Sequence, residues 1–99
     1  MRAELVIAPE AEIDITEAYL WYEARRTGLG EEFLTSVDAC IERIRRQPVG
    51  YAVVHQAYRR ALVRRFPYAV FFESLESTVT IYAVFHTSRD PKKWRDRLT

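Results

Sequence analysis

The chain has 99 residues, of which 48% are hydrophobic and 29% are charged, proportions typical of one soluble globular domain over residues 1–99. No apolar run approaches the roughly 20 residues that cross a bilayer, and Pro9 and Glu10 interrupt the short apolar N-terminus before it resembles an export signal. The single cysteine, Cys40, excludes an internal disulfide and a multi-cysteine zinc site. We therefore expect a cytoplasmic protein that is not inserted in a membrane.

Charge is distributed unevenly along the chain, although the formal net charge is only +1. Residues 1–58 contain six arginines and ten acidic residues, whereas residues 59–99 contain nine basic and four acidic residues. A basic second part fits an anionic partner, either nucleic acid or an acidic protein segment. A solvated charged surface is the alternative, so charge alone does not decide between these interpretations.

Two helices are predicted after a short N-terminal strand. Residues 2–7 alternate between polar and apolar side chains, as a strand does. Pro9 begins a helix that extends to about residue 25, with acidic residues in its first turn and an apolar stripe at helical spacing. After a turn at residues 27–30, a similar stripe predicts a second helix over residues 31–46. Together the helices form an antiparallel hairpin that covers another element.

Three strands are predicted next, because residues 58–65, 68–73 and 79–86 are rich in β-branched and aromatic residues. The short connections between them favour antiparallel hairpins, whereas residues 48–57 show no clear pattern. Alternation in the last strand places four side chains under the helices, namely Val79, Ile81, Ala83 and Phe85. It places four others on a half-exposed opposite face that is open to a partner, namely Thr80, Tyr82, Val84 and His86.

The C-terminal tail is predicted to be helical over residues 91–98, because Asp90 is a favourable N-cap and Pro91 fits the first helical position. The predicted fold is therefore α+β, in the order β-α-α-β-β-β. A helical hairpin packs on one face of a small antiparallel sheet, and a short helical tail follows. Such a fold by itself does not define a function.

The segment that most resembles a catalytic site closes the last strand, where His86 is followed by Arg89. A histidine can act as an acid or base near neutral pH, and an arginine can stabilise developing negative charge. His86 can equally hydrogen-bond the terminal turn. No cofactor or metal is expected, since the sequence has no glycine-rich phosphate loop, no nucleophile elbow and no cluster of metal-ligating residues.

Four arginines lie on or beside the first of the three strands, namely Arg59, Arg60, Arg64 and Arg65. Guanidinium groups hold phosphates or carboxylates through paired hydrogen bonds. Salt bridges to acidic residues of the helices are the alternative, which we expect for half of these arginines. Trp21, Tyr22 and Trp94 are large side chains that are better explained by packing than by base stacking.

Taken together, four groups of residues resemble the RelE/ParE superfamily of toxins from bacterial type II toxin–antitoxin systems. The groups are Asp14-Ile15 with Ala18 and Trp21-Tyr22; Gly28-Leu29-Gly30-Glu31-Glu32-Phe33; Arg59-Arg60-Ala61-Leu62 with Arg65-Phe66-Pro67-Tyr68; and His86-x-x-Arg89-Asp90-Pro91 with Trp94. Their order and spacing extend over nearly the whole chain. The resemblance implies the same fold and a small antitoxin whose acidic or amphipathic segment wraps the toxin, giving a hetero-oligomer.

The resemblance implies two competing activities. RelE-like members cut mRNA in the ribosome, whereas ParE-like members poison DNA gyrase. RelE-like sequences carry an arginine in the middle strand, just before an apolar pair and a tyrosine, where this chain has Tyr68. A cation beside the scissile phosphate contributes several kcal/mol of transition-state stabilisation. The resemblance therefore ranks gyrase poisoning above RNA cleavage.

Each interpretation implies its own functional residues. A ribonuclease would use Arg65, His86 and Arg89 as its catalytic set. A gyrase poison is not an enzyme, and its expected partner-binding residues are Arg59, Arg60, Arg64, Tyr68, Tyr82 and Trp94. A third interpretation is a binding module that has lost toxicity and only sequesters an antitoxin.

Overall fold

The computed structural model describes residues 2–98 and arranges them as three helices and a five-stranded sheet. The elements are β1 (Glu4–Ile7), α1 (Pro9–Arg25), α2 (Leu29–Arg46), a 3₁₀ turn (Pro48–Gly50), β2 (Val53–His55), β3 (Tyr58–Leu62), β4 (Tyr68–Leu75), β5 (Thr78–His86) and α3 (Pro91–Leu98). The strand order is β1-β5-β4-β3-β2; β1 pairs parallel with β5 and the other neighbours pair antiparallel. The predicted α+β class, helical hairpin and helical tail are confirmed.

The turn between α1 and α2 depends on two glycines and one carboxylate. Gly28 precedes α2 with a φ of 91°, a conformation that glycine adopts without steric cost. The Glu23 carboxylate accepts hydrogen bonds from the N–H groups of Gly28 and Gly30, each at 2.9 Å. A side chain on α1 thereby satisfies N–H groups at the start of α2, which otherwise have no partner within the helix. This contact fixes the angle of the hairpin.

The hairpin covers one face of the sheet and buries the main hydrophobic core. The largest buried side chains there come from α2, β4 and β5, namely Phe33, Val37, Ile44, Val70, Phe72, Val79 and Ile81. In α2 the buried positions Phe33, Val37, Ile41 and Ile44 recur every three or four residues, so the apolar stripe read from the sequence is the face that packs on the sheet. The faces that α1 and α2 bury are therefore the ones that the periodicity predicts.

A β-bulge interrupts the pairing of β4 with β5. Phe71 lies opposite Ala83, whereas the next residue of β4, Phe72, lies opposite Ile81. Tyr82 is therefore an extra residue in β5 with no partner in the register. One inserted residue reverses the alternation of side chains along the rest of a strand.

The predicted assignment of β5 faces is consequently wrong after residue 82. Ala83 and Phe85 lie on the face of the sheet that is opposite the hairpin, not under it. Val84, expected to be half-exposed, is 2% exposed and packs in the main core. His86 lies beside α1 for the same reason.

The opposite face of the sheet was expected to be uncovered, but α3 covers part of it. This second core consists of Ala69, Phe71, Ala83, Phe85, Trp94 and Leu98. Asp90 caps the helix as predicted, since its Oδ1 accepts a hydrogen bond from the Lys92 N–H at 2.9 Å. Trp94 is 7% exposed, and its ring centroid is 5.0 Å from that of Phe71.

Two features near residues 48–65 differ from the sequence-based expectation. The short strand β2 lies in the stretch that showed no pattern, because three residues are too few to display alternation. β3 ends at Leu62 rather than residue 65, and Arg65 adopts a φ of 73° in the tight connection to β4. The positive φ breaks the extended conformation that a strand needs.

Candidate functional site

An aromatic cleft lies between α1 and the ends of β4 and β5. Its volume is about 330 Å³, and the residues that line it are Asp14, Glu17, Ala18, Trp21, Tyr22, Tyr68, Val84, His86 and Arg89. Three of the predicted site residues, Tyr68, His86 and Arg89, therefore meet in one place. Tyr68 and His86 are opposite each other in the register of β4 and β5, which explains their proximity.

The wall of the cleft is a chain of rings. Trp21 is 52% exposed at its rim and contacts Tyr22 edge-to-face, with 5.0 Å between ring centroids. The Tyr22 and Tyr68 rings are 6.1 Å apart, and Tyr68 contacts the His86 ring at 5.3 Å. Burial raises the pKa of Tyr22 and of Tyr68 above the usual value. Both hydroxyls are therefore protonated at neutral pH and act as hydrogen-bonding groups.

Asp14 is a partly buried carboxylate beside the cleft, and both of its oxygens accept hydrogen bonds. Oδ2 accepts a hydrogen bond from the backbone N–H of Val84 at 3.0 Å. Both oxygens also accept hydrogen bonds from the guanidinium nitrogens of Arg97, at 3.0 and 3.1 Å. This carboxylate joins α1, β5 and α3, so it stabilises the structure around the cleft. Glu17, one turn further along α1, has no ion pair within residues 2–98.

His86 is held in one orientation by the turn that follows it. Its Nδ1 accepts a hydrogen bond from the Ser88 N–H at 3.1 Å and lies 2.7 Å from the Ser88 hydroxyl. Nε2 is therefore the ring nitrogen that remains to hydrogen-bond a ligand. The Arg89 guanidinium lies 4.3 Å from the Phe85 ring centroid, and Arg89 lines the same cleft as His86.

Arg65 is not part of this arrangement. Its guanidinium donates a hydrogen bond to Glu32 at 2.9 Å, and it does not line the aromatic cleft. The structure thus brings two members of the proposed catalytic set together and places the third beside α2. The pairing of Arg65 with Glu32 is the salt-bridge alternative considered for the four arginines.

The other three arginines have no carboxylate partner within the described chain. The Arg59 guanidinium donates a hydrogen bond to the Tyr51 carbonyl at 2.6 Å. Arg60 and Arg64 line a second groove, of about 450 Å³, between the end of α2 and the β2–β3 edge of the sheet. The salt bridges expected for half of the arginines occur at Arg65 alone among these four.

The remaining predicted partner-binding residues lie on the α3 side of the sheet. Tyr82 contacts the Tyr58 ring at 5.2 Å, and its hydroxyl donates a hydrogen bond to Glu73 at 3.3 Å. Burial and the neighbouring Glu73 carboxylate raise the pKa of Tyr82. Trp94 lies on the buried side of α3, where it packs in the second core.

Neither a metal centre nor a membrane span is found in residues 2–98. No group of three or more His, Cys, Asp and Glu side chains is placed to hold a metal ion in this part of the chain. None of its helices is both long and apolar enough to cross a bilayer.

Comparison with known protein families shows to which family the chain belongs. Residues 5–91 match the family profile described as the ParE toxin of type II toxin–antitoxin system, parDE. The chain belongs to the ParE toxin family. This confirms the resemblance based on the four groups of residues. The match covers the hairpin and the sheet and ends at the first residue of α3.

Comparison of this ParE-family chain with solved structures supports the same fold. It is similar to a structure described as the chromosomal ParDE TA system from P. aeruginosa, with a TM-score of 0.63 and 16% sequence identity. The match covers 86% of this chain and 96% of the other. At this identity the likeness establishes the shared fold. A search of curated proteins found no match.

Proposed function

We propose that this ParE-family toxin inhibits growth by poisoning DNA gyrase and that a cognate antitoxin neutralises it in a hetero-oligomer. The observation that carries the proposal is family membership over residues 5–91, combined with Tyr68 at the position of the RelE-like arginine. The Tyr68 ring packs 5.0 Å from Phe33 and 5.3 Å from His86. The inner wall of the cleft is therefore aromatic where a ribonuclease of the superfamily would carry a cation.

Contact with a protein target also fits the surface of the molecule. Arg60 and Arg64 present guanidinium groups without carboxylate partners in the described chain, and Trp21 is half-exposed at the rim of the aromatic cleft. Arginine and tryptophan are enriched among residues that dominate the binding energy of protein interfaces. A poison that acts by contact needs such a surface and no catalytic set.

RNA cleavage is the second candidate, and one observation favours it. His86 and Arg89 line the same cleft, which would place an acid or base beside a phosphate-binding cation. The position of Arg65, hydrogen-bonded to Glu32 outside the cleft, counts against the three-residue set. If RNA is cleaved, we expect Arg89→Ala to abolish cleavage and Arg65→Ala to reduce it far less.

The decisive experiment adds the purified chain to DNA gyrase, relaxed plasmid and ATP. The proposal predicts loss of supercoiling and accumulation of cleaved plasmid as the toxin concentration rises. Unchanged supercoiling and uncut plasmid at a molar excess of toxin would contradict it. Translating ribosomes programmed with mRNA test the second candidate, and intact transcripts would exclude it.

Co-expression tests the partner. The product of a short neighbouring reading frame should copurify with the toxin and restore the growth of cells that express it. Tight binding to such a product without any growth arrest would instead establish the non-toxic binding module. Growth is measured separately from binding, so the three interpretations give different results.

A further inference from the structure

The aromatic cleft is bordered by one negative and one positive side chain that have no ion-pair partner. Glu17 and Arg89 both line the cleft, and both are exposed. Neither forms a salt bridge in the part of the chain that the structure describes. The second carboxylate of the cleft, Asp14, is neutralised by Arg97. A ligand in the cleft therefore meets one carboxylate and one guanidinium that are free to pair with it.

The wall near Arg89 gathers hydrogen-bond donors. Burial raises the pKa of Tyr68, and the Arg89 guanidinium partly offsets this rise, so the cation lies close to the phenol. The His86 ring contacts Tyr68 on the same wall, with 5.3 Å between ring centroids. Because Nδ1 of His86 faces Ser88, Nε2 is the nitrogen left for a ligand. A guanidinium, a protonated phenol and an imidazole N–H together suit a carboxylate.

The rest of the lining is apolar or aromatic. Ala18 is 5% exposed and Val84 is 2% exposed, and both line the cleft. Trp21 and Tyr22 meet edge-to-face beside them, at 5.0 Å between ring centroids. Aromatic walls favour a flat ring, which they contact at centroid distances of about 4.5–7 Å. The volume of about 330 Å³ is near the lower end of the roughly 300–1,000 Å³ of small-molecule sites, so one ring is the size that fits.

The two free charges restrict the ligand further. A phosphate ester carries one or two negative charges, which the Glu17 carboxylate repels. A simple organic cation is repelled in the same way by Arg89. A zwitterion, with an ammonium and a carboxylate on one carbon, satisfies both side chains and leaves no net charge in the cleft.

We propose that the aromatic cleft binds a free aromatic amino acid. Its ammonium pairs with Glu17, its carboxylate pairs with Arg89, and its ring packs beside Trp21 and Tyr22. Binding requires neither gyrase nor an antitoxin, so this site does not depend on the proposed function.

Titration of the purified, isotope-labelled chain tests the proposal through the indole N–H signals in two-dimensional NMR spectra. Trp21→Phe assigns the signal of Trp21, and the buried Trp94 is the internal reference. The main probe is L-phenylalanine. Phenethylamine lacks its carboxylate, 3-phenylpropionate lacks its ammonium, and L-alanine lacks its ring.

L-phenylalanine should shift the Trp21 signal and leave the Trp94 signal in place. Its dissociation constant should be on the order of 1 mM, as expected for a ligand of about twelve non-hydrogen atoms. Each of the other probes should bind at least about fivefold more weakly, because each lacks one of the contacts.

Substitutions of the charged residues assign each contact. E17Q should reduce the affinity for L-phenylalanine to that for 3-phenylpropionate, because the ammonium has lost its partner. R89Q should reduce it to that for phenethylamine. E10Q on α1 and K92Q on α3 remove the same charges outside the cleft and should change the affinity by less than about twofold. The spectra of the variants also show that each remains folded.

Four results would overturn the proposal. An unchanged Trp21 signal at about 20 mM L-phenylalanine would exclude the site. Equal affinity for 3-phenylpropionate would remove the ammonium contact. Equal losses in E17Q and E10Q would show only a general effect of charge. Tighter binding of adenosine monophosphate, lost in R89Q, would assign the cleft to nucleotides. A chain that fails to inhibit gyrase still gives a clear answer in these measurements.

Discussion

The carboxylate of Asp14 accepts hydrogen bonds from both terminal nitrogens of Arg97, at 3.0 and 3.1 Å, although the two residues are 83 positions apart in the chain. The Asp14 side chain is 11% exposed and that of Arg97 is 29% exposed, so water screens this pair only in part. The same carboxylate accepts the Val84 N–H. One side chain therefore connects the first helix, the last strand and the last helix.

Asp14→Ala should lower the free energy of unfolding by about 2–3 kcal/mol, because the N–H of Val84 and the guanidinium of Arg97 lose their acceptor. Arg97→Ala should cost less, about 1–2 kcal/mol, since the remaining carboxylate keeps one hydrogen bond. Urea unfolding measures both values. Lys93→Ala on the exposed side of α3 is the control, and equal values for all three variants would contradict the role of Asp14.

The Glu23 carboxylate should make a measurable contribution to the stability of the α1–α2 hairpin. Glu23→Ala leaves the N–H groups of Gly28 and Gly30 without their acceptor and should destabilise the chain by about 1–2 kcal/mol. Glu17→Ala removes a carboxylate of the same helix that has no ion pair in the described chain, and should change stability by less than about 0.5 kcal/mol. Similar unfolding midpoints for the two variants would show that the contact contributes little.

The bulge at Tyr82 predicts the effect of truncating Phe85. Phe85 is 2% exposed beneath α3, so Phe85→Ala should cost about 3–4 kcal/mol. It should also loosen α3 and shift the emission of the buried Trp94 to longer wavelength, measured in a background in which Trp21 is replaced by Phe. Leu75→Ala, at a position that is 63% exposed, is the control. Unchanged Trp94 emission in Phe85→Ala would contradict packing beneath α3.

Low pH should lower the free energy of unfolding, in part because Glu32 becomes protonated. Hydrogen bonds from Arg26 and then Arg65 lower the pKa of Glu32 in the folded chain. An acid with a lowered folded pKa contributes stability above its unfolded pKa of about 4.3, and this contribution is lost as the pH falls through the lower folded value. Glu32→Gln should therefore lose less stability than the wild type between about pH 5 and pH 3.

Urea midpoints measured across that pH range test the role of Glu32. The double variant R26Q with R65Q removes the two donors, and it should flatten the pH dependence in the same way as Glu32→Gln. A slope as steep as that of the wild type in both variants would show that other carboxylates account for the acid dependence.

Much of the fold could be predicted because the signals are local. Pro9 begins α1 and Asp90 caps α3, as expected, and α2 begins two residues earlier than predicted, at Leu29. Caps and apolar stripes involve residues within one or two helical turns, so a short window of sequence contains them. The strands β3 to β5 could be predicted because their β-branched and aromatic residues are also a local signal.

The aromatic cleft was predicted only in fragments. His86 and Arg89 were identified as a pair because they are three residues apart, and Tyr68 was identified separately. Trp21 and Asp14 were not assigned to the same site, since they reach it through the packing of α1 on the sheet. No spacing rule relates residues whose proximity depends on how two elements pack.

The sequence by itself determined where the helices and the main strands lie, which faces of α1 and α2 are apolar, and where basic residues concentrate. The tertiary structure decided the bulge at Tyr82, the covering of the second face by α3, and the pairing of Arg65 with Glu32. Periodicity and capping depend on neighbouring residues. The register of a strand pair and the partner of a charge depend on distances in space, which arise only when the whole chain packs.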